Sequence, residues 1–172
     1  PEEFKLLMSP FTVIARSPTT FSDTEIDEFC TLVLAGGEVT ARGLQDRVAH
    51  AECLAFLRRA ECLVGVAGLK RPGLSYRQRV QKRAGVPLPE GAFVFELGWV
   101  FILPDARRQK QSLPLCQPLI SAAGTAGVFA TSRVSNKGMH ATLGKVGFRQ
   151  AGVRWTSKQS EESLFLFVRS AA

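Results

Sequence analysis

Glu96 is the only acidic residue between Glu90 and Asp105, and it stands inside a strongly apolar run, FVFELGWVFI, over residues 93–102. A carboxylate buried in such a strand is a stronger base than one in water, because desolvation disfavours its charged form. Glu96 is therefore a candidate general base, acting directly or through a water. The other reading is a carboxylate paired with an arginine from a basic segment upstream. Just beyond the run comes Arg107-Arg108-Gln109-Lys110-Gln111-Ser112, a basic turn that leads into a helical pattern. Converging backbone N–H groups, a helix dipole and side-chain cations would together suit a pyrophosphate. A solvated basic loop is the alternative. Further on, Asn136 opens a helical stretch that closes on Gly147-Phe148, and its residue type suits an N-cap. Cys116 lies among apolar residues and reads as core rather than as a nucleophile.

These residues need elements to hold them. Phe11–Arg16 alternates as a first strand. Thr20-Phe21-Ser22-Asp23 supplies capping chemistry for a helix over about Thr24–Leu34, ended by Gly36-Gly37. Ala41–Val48 suits a second short helix. Glu52–Arg58 and Cys62–Leu69 read as an antiparallel hairpin around Arg59-Ala60-Glu61. The long strand Phe93–Leu103 follows, then a helix over Ser112–Ala123, where Pro118 is expected to introduce a kink. Val128–Thr131 is a short strand, Asn136–Val146 a helix, and Arg149–Arg154 with Leu164–Val168 a final antiparallel pair. Only the passage from the 93–103 strand to 128–131 is a β-α-β crossover; the other connections are meander and hairpin. The order predicts an α+β fold, a mixed and mostly antiparallel sheet flanked by helices.

One segment breaks this rhythm. Residues 70–91 form an insert, and between Lys70 and Arg83 there are six Lys/Arg and no acid. Long connections of this sort often serve as a wall or lid. Three readings stay open: a lure for an acidic or phosphorylated ligand, a contact for tRNA, or a solvated helix.

At 172 residues the chain is long enough for one domain with a real core, here taken as 1–172. The net charge of +7 fits either a polyanionic cofactor or a nucleic acid, and does not choose between them. No apolar run approaches a membrane span, and Pro1-Glu2-Glu3 shows no leader pattern. Four scattered cysteines without a C-x-x-C pair, and only two histidines, speak against a metal site and for reduced thiols in the cytoplasm.

Over about residues 11–169, the element order, the basic turn and the Asn136…Gly147-Phe148 tail resemble the GNAT superfamily of acyl-CoA-dependent N-acyltransferases. In that family the turn after the fourth strand reads Gln/Arg-x-x-Gly-x-Gly/Ala. With Arg107 in the first place, Lys110 and Ser112 stand at the glycine positions. The resemblance implies acetyl-CoA or another acyl-CoA as co-substrate. Its phosphates would lie on Arg107, Arg108, Gln109, Lys110, Gln111 and Ser112. Its pantetheine arm would lie along the main chain of Val100, Phe101 and Ile102, where the strand splays from its neighbour, with Asn136 touching the same arm. Glu96, six residues before Ile102 and on the same face by alternation, would be the base. The family's usual proton donor, a tyrosine seven residues after the asparagine, is Leu143 here; His140 and Ser135 lie near the expected cleft, and the chain's one tyrosine is Tyr76 in the insert.

The activity implied is acyl transfer to an amine acceptor by direct attack in a ternary complex. Two other readings stand beside it. One is a catalytically silent member that binds CoA or another ligand, favoured by Lys110, Ser112 and Leu143. The other is a basic, RNA-directed acyltransferase, against which stands the lack of any RNA-binding signature. The acceptor is left open, and a homodimer is compatible with all three.

Overall fold

The computed structural model describes residues 10–158 and 161–172; the opening Pro1-Glu2-Glu3 lies outside them. The seven strands are β1 (Phe11–Arg16), β2 (Cys53–Arg59), β3 (Cys62–Lys70), β4 (Phe93–Ile102), β5 (Gly127–Arg133), β6 (Arg149–Thr156) and β7 (Ser163–Arg169). They form one sheet in the order β1-β2-β3-β4-β5-β7-β6. Only β4 and β5 run parallel; β1–β2, β2–β3, β3–β4, β5–β7 and β6–β7 are antiparallel. The expected α+β architecture is the one observed.

Five helices cover the two faces: α1 (Asp23–Ala35), α2 (Leu44–Ala49), α3 (Leu74–Ala84), α4 (Ser112–Ala123) and α5 (Lys137–Lys145). Ser22 accepts from the Glu25 N–H while the Glu25 side chain accepts from the Ser22 N–H, a complete capping box that starts α1. α4 continues as a helix past Pro118 to Ala123, although Pro118 has no N–H to give the Pro114 carbonyl. Leu115, Cys116 and Leu119 of α4 and Leu143 of α5 bury against β1–β5 on one face. On the other face, Phe29 and Val33 of α1 and Val48 of α2 pack on Leu54, Phe56 and Val66.

The insert is a folded part of the domain. The helix α3 has three turns, ended by Gly85 in the left-handed region at φ 70°. Val80 and Ala84 seal it onto Phe129, Leu166 and Val168 of β5 and β7. Arg77, only 4% exposed, reaches across from α3 and donates to the carbonyls of Leu88 (3.2 Å), Phe93 (2.5 Å) and Val94 (3.4 Å). Its guanidinium also lies over the ring of Phe129. The basic insert, read as a wall or a lid, is thus pinned to the sheet by one of its own arginines.

Two departures from regular sheet geometry shape the middle of the molecule. First, β4 and β5 pair only through Phe93↔Gly127, Phe95↔Val128 and Glu96↔Phe129, although both strands continue beyond that point. The sheet forks just past Glu96. Second, β4 carries one extra residue opposite β3, between the pairs Gly68↔Gly98 and Val66↔Phe101, with Trp99 at φ 55°. This β-bulge reverses the alternation of side chains. Before it, Phe95 and Leu97 face α4; after it, Val100 and Ile102 do, while Trp99 and Phe101 turn to the α1 side. The expectation that Glu96 and Ile102 share a face is therefore overturned. A count by twos fails where a strand spends one residue on a bulge.

Candidate active site

At the fork lies a cavity of about 630 Å³. Its floor comes from β4 and β5, including Glu96, Gly98, Trp99 and Thr131; one wall comes from α3 and another from the loop between α1 and α2.

Glu96 is 2% exposed and meets two partners. Lys70 Nζ, at the end of β3, lies 2.6 Å from its Oε1, an ion pair rather than an aligned hydrogen bond. The Tyr76 hydroxyl, from α3, donates to its Oε2 at 2.6 Å. Lys70 also lies over the rings of Trp99 (5.0 Å) and Tyr76 (5.4 Å), so a carboxylate and two aromatic faces together enclose an ammonium group. Gly98 makes this possible: a Cβ there would stand 2.7 Å from the Lys70 Cδ. The carboxylate's partner is neither an arginine nor absent, as the sequence suggested, but a lysine from the strand beside it.

Burial, the neighbouring Glu96 charge and the hydrogen bond to it all push the Tyr76 phenol well above its ordinary value of 10.0. The phenol stays protonated and available as a donor. This has a consequence for stability. A group whose pKa is raised on folding stabilises the protein fully below its unfolded value and loses that contribution as pH climbs through the folded one. Urea midpoints should therefore fall as pH rises past about 10, and Tyr76→Phe should flatten that fall. The buried Cys116 thiol, pushed up from 9.0 to about 12 by desolvation, adds a parallel loss that this substitution leaves in place. Identical pH profiles for the two proteins would contradict the assignment.

The basic turn after β4 has an unusual backbone. Arg108 and Lys110 lie at φ 60° and 58°, the left-handed region that favours glycine. Among the described residues, no backbone N–H from Arg108 to Leu113 meets a protein acceptor, and Gln111 leaves the α4 N-terminus without a side-chain cap. Such a concave run of free N–H groups before a helix is an anion-binding shape. The side chains divide. Arg108 and Lys110 are exposed and make no ion pair among the described residues. Arg107 instead folds back, its Nε donating to the Ile102 carbonyl at 2.6 Å and its guanidinium over Phe101. Gln109 and Gln111 donate to carbonyls within the loop, and Ser112 shares a hydrogen bond with Thr142 of α5.

Asn136 caps α5, its Oδ1 accepting from the Met139 N–H at 3.1 Å. Leu143 is fully buried core, and His140 Nε2 sits 2.9 Å from the Arg133 carbonyl between Phe165 and Phe167. No group of three or more His, Cys, Asp or Glu among the described residues could hold a metal, and no described helix is long and apolar enough to cross a membrane. The structure thus joins Glu96 to Lys70 and Tyr76, two partners that sequence reasoning left apart. The signal for Tyr76 was its uniqueness and its place on the pocket face of a helical insert.

No family model and no curated protein matches this sequence. Solved structures do match. An acyl-CoA N-acyltransferase from Pseudomonas aeruginosa aligns with TM-score 0.61 at 13% identity, over 92% of this chain and 99% of that one. Escherichia coli ElaA aligns with TM-score 0.64 at 9% identity, again over 92% and 99%. The yncA protein of Salmonella typhimurium, provisionally described as an acetyltransferase and solved with its cofactor acetyl-CoA, aligns with TM-score 0.60 at 14% identity, over 94% of each chain.

Proposed function

Because the chain has the fold of the GNAT acyl-CoA N-acyltransferases, we propose that it transfers an acyl group from acetyl-CoA or another acyl-CoA to an amine. The observation that carries this reading is the fork itself. It puts a buried carboxylate and a protonated phenol at the point where β4 loses its neighbour, one strand's length from a turn of free N–H groups. The residues present fit the co-substrate. The N–H groups of Arg108–Leu113 would hold its phosphates with Arg108 and Lys110, and the unpaired edge of β4 around Val100 and Phe101 would line its pantetheine arm. Ile102 offers less there, since Arg107 already takes its carbonyl.

The acyl-CoA supplies an activated thioester. The protein's part is to hold and move protons. The cradle around Lys70 is the kind an acceptor's ammonium needs, and exchanging one ammonium for another leaves the charge of the pocket unchanged. The bound ammonium first gives one proton to solvent, which leaves the neutral amine; Glu96 then takes the second proton as the amine nitrogen bonds to the acyl carbon. Tyr76 gives one to the sulfur as the carbon–sulfur bond breaks, and the hydrogen bond between Tyr76 and Glu96 returns it, so the two side chains end as they began.

Calorimetry with acetyl-CoA tests the co-substrate, and thiol release in the presence of amines tests the reaction. Arg108→Ala with Lys110→Ala should weaken acetyl-CoA binding by about 1–3 kcal/mol, the range for exposed charge-assisted contacts. Dephospho-CoA beside CoA reports whether the 3′-phosphate takes part. An unchanged dissociation constant in the double variant would remove the turn from the site.

A further inference from the structure

The acceptor's chemistry is written in the charge of its pocket. Most basic groups lining the cavity are already engaged. Lys70 is on Glu96, Arg71 on Glu52, Arg133 on Glu38 and Glu162, and the Arg47 guanidinium is spent on the carbonyls of Thr40 and Arg42. Arg79, Arg83 and Lys158 line the same cavity with no carboxylate at ion-pair distance among the described residues.

Their arrangement is ordered. Tyr76, Arg79 and Arg83 fall three and four residues apart on α3, so they form one stripe along the helix, while Val80 and Ala84 beside them go to the core. Two arginines four apart repel each other unless an anion lies between them. The Arg79 guanidinium lies 5.8 Å from the centre of the Tyr76 ring, and the hydroxyl of that ring reaches Glu96. The carboxylate that would receive an amine and the Arg79 guanidinium, which has no carboxylate partner among the described residues, are one tyrosine ring apart.

We propose that the acceptor is a small amine that also carries an anionic group, a carboxylate or a phosphate, a few bonds from its nitrogen. Its nitrogen lies at Glu96 and its anion on Arg79 and Arg83, with Lys158 at the mouth. The proposal rests on the acyl-transfer reading and names the substrate class of that same site. A cavity of about 630 Å³ is the size of a small-molecule site.

The test uses acetyl-CoA with matched amines: β-alanine against β-alaninamide, and phosphoethanolamine against ethanolamine. Thiol release is followed in the wild type and in Arg79→Gln/Arg83→Gln. In the wild type the anionic member of at least one pair should lead by about tenfold or more in kcat/KM, and in the variant the lead should shrink to below about threefold through KM. The KM for acetyl-CoA should not move. Which pair shows the larger gap tells carboxylate from phosphate. Equal rates within both pairs, or a gap that survives the substitutions, overturns the proposal.

If none of these amines is acylated, binding decides. Millimolar or tighter binding of glutarate or inorganic phosphate to the wild type, lost in the variant, upholds the anion site. No binding to the wild type overturns it, as does tRNA binding that depends on these arginines while neither small anion binds. A protein that binds the anions but not acetyl-CoA overturns the acyl-transfer reading alone.

Discussion

Replacing Glu96 with Gln should lower kcat by about 10²–10⁴-fold, the range for loss of a general base, while the affinity for acetyl-CoA stays close to that of the wild type. The amide keeps the shape and can still accept from Tyr76, but it cannot take the amine's proton. It also strands Lys70, whose ammonium loses the carboxylate it pairs with, so a fall in stability of about 1–3 kcal/mol should accompany the loss of rate. A purely structural Glu96 would show only the second effect. The double variant Glu96→Gln/Lys70→Met separates the two. Removing both members of a buried pair costs far less than removing one, so much of the stability should return while the rate does not. Near-normal kcat in a well-folded single variant would reduce Glu96 to a structural carboxylate.

The largest effect on stability is expected at Arg77. Arg77→Met keeps most of the aliphatic stem but leaves the carbonyls of Leu88, Phe93 and Val94 without their shared donor, inside a site that is 4% exposed. The loss should be about 3–5 kcal/mol, given charge-assisted bonds of about 1.5–3 kcal/mol each and a buried setting. For a chain of this length that is a fall of roughly 10 °C in Tm. Lys, a point donor without a fork, should recover only part of it. A change of under about 2 °C would mean that the insert is held by Val80, Ala84 and Leu88 alone.

Where the fold was legible, a periodic signal stood close to a punctuating residue. The strand at Phe11–Arg16, the capping chemistry before the first helix and the hairpin around Ala60 carry their own local reasons, and each appears within a few residues of its expected bounds. The acid that lines the cavity at the fork was conspicuous too, because it is the one charged residue in a run of ten. Its partners were not. Lys70 and Tyr76 reach Glu96 through strand register and helix placement, neither of which has a local signature, and among the described residues no arginine of the insert pairs with it; Arg77 goes to backbone carbonyls instead. Asn136 took the capping role that its residue type allowed. Arg107 looked like a phosphate ligand by charge, and its turn back to Ile102 depends on a loop conformation that charge does not encode.

The bulge at Trp99 gives β4 two reading frames. Upstream of it, Glu96 lines the cavity at the fork while the odd-numbered Phe95 and Leu97 look toward α4; downstream, the even-numbered Val100 and Ile102 look toward α4. A chain one residue shorter between Gly98 and Val100 would keep nearly the same hydropathy profile, yet it would exchange the inner and outer faces of one half of the strand relative to the other. Substitutions along β4 therefore carry opposite meanings on either side of a single residue. An alignment that slides a gap across Trp99 would match the residues before the bulge or those after it, but never both.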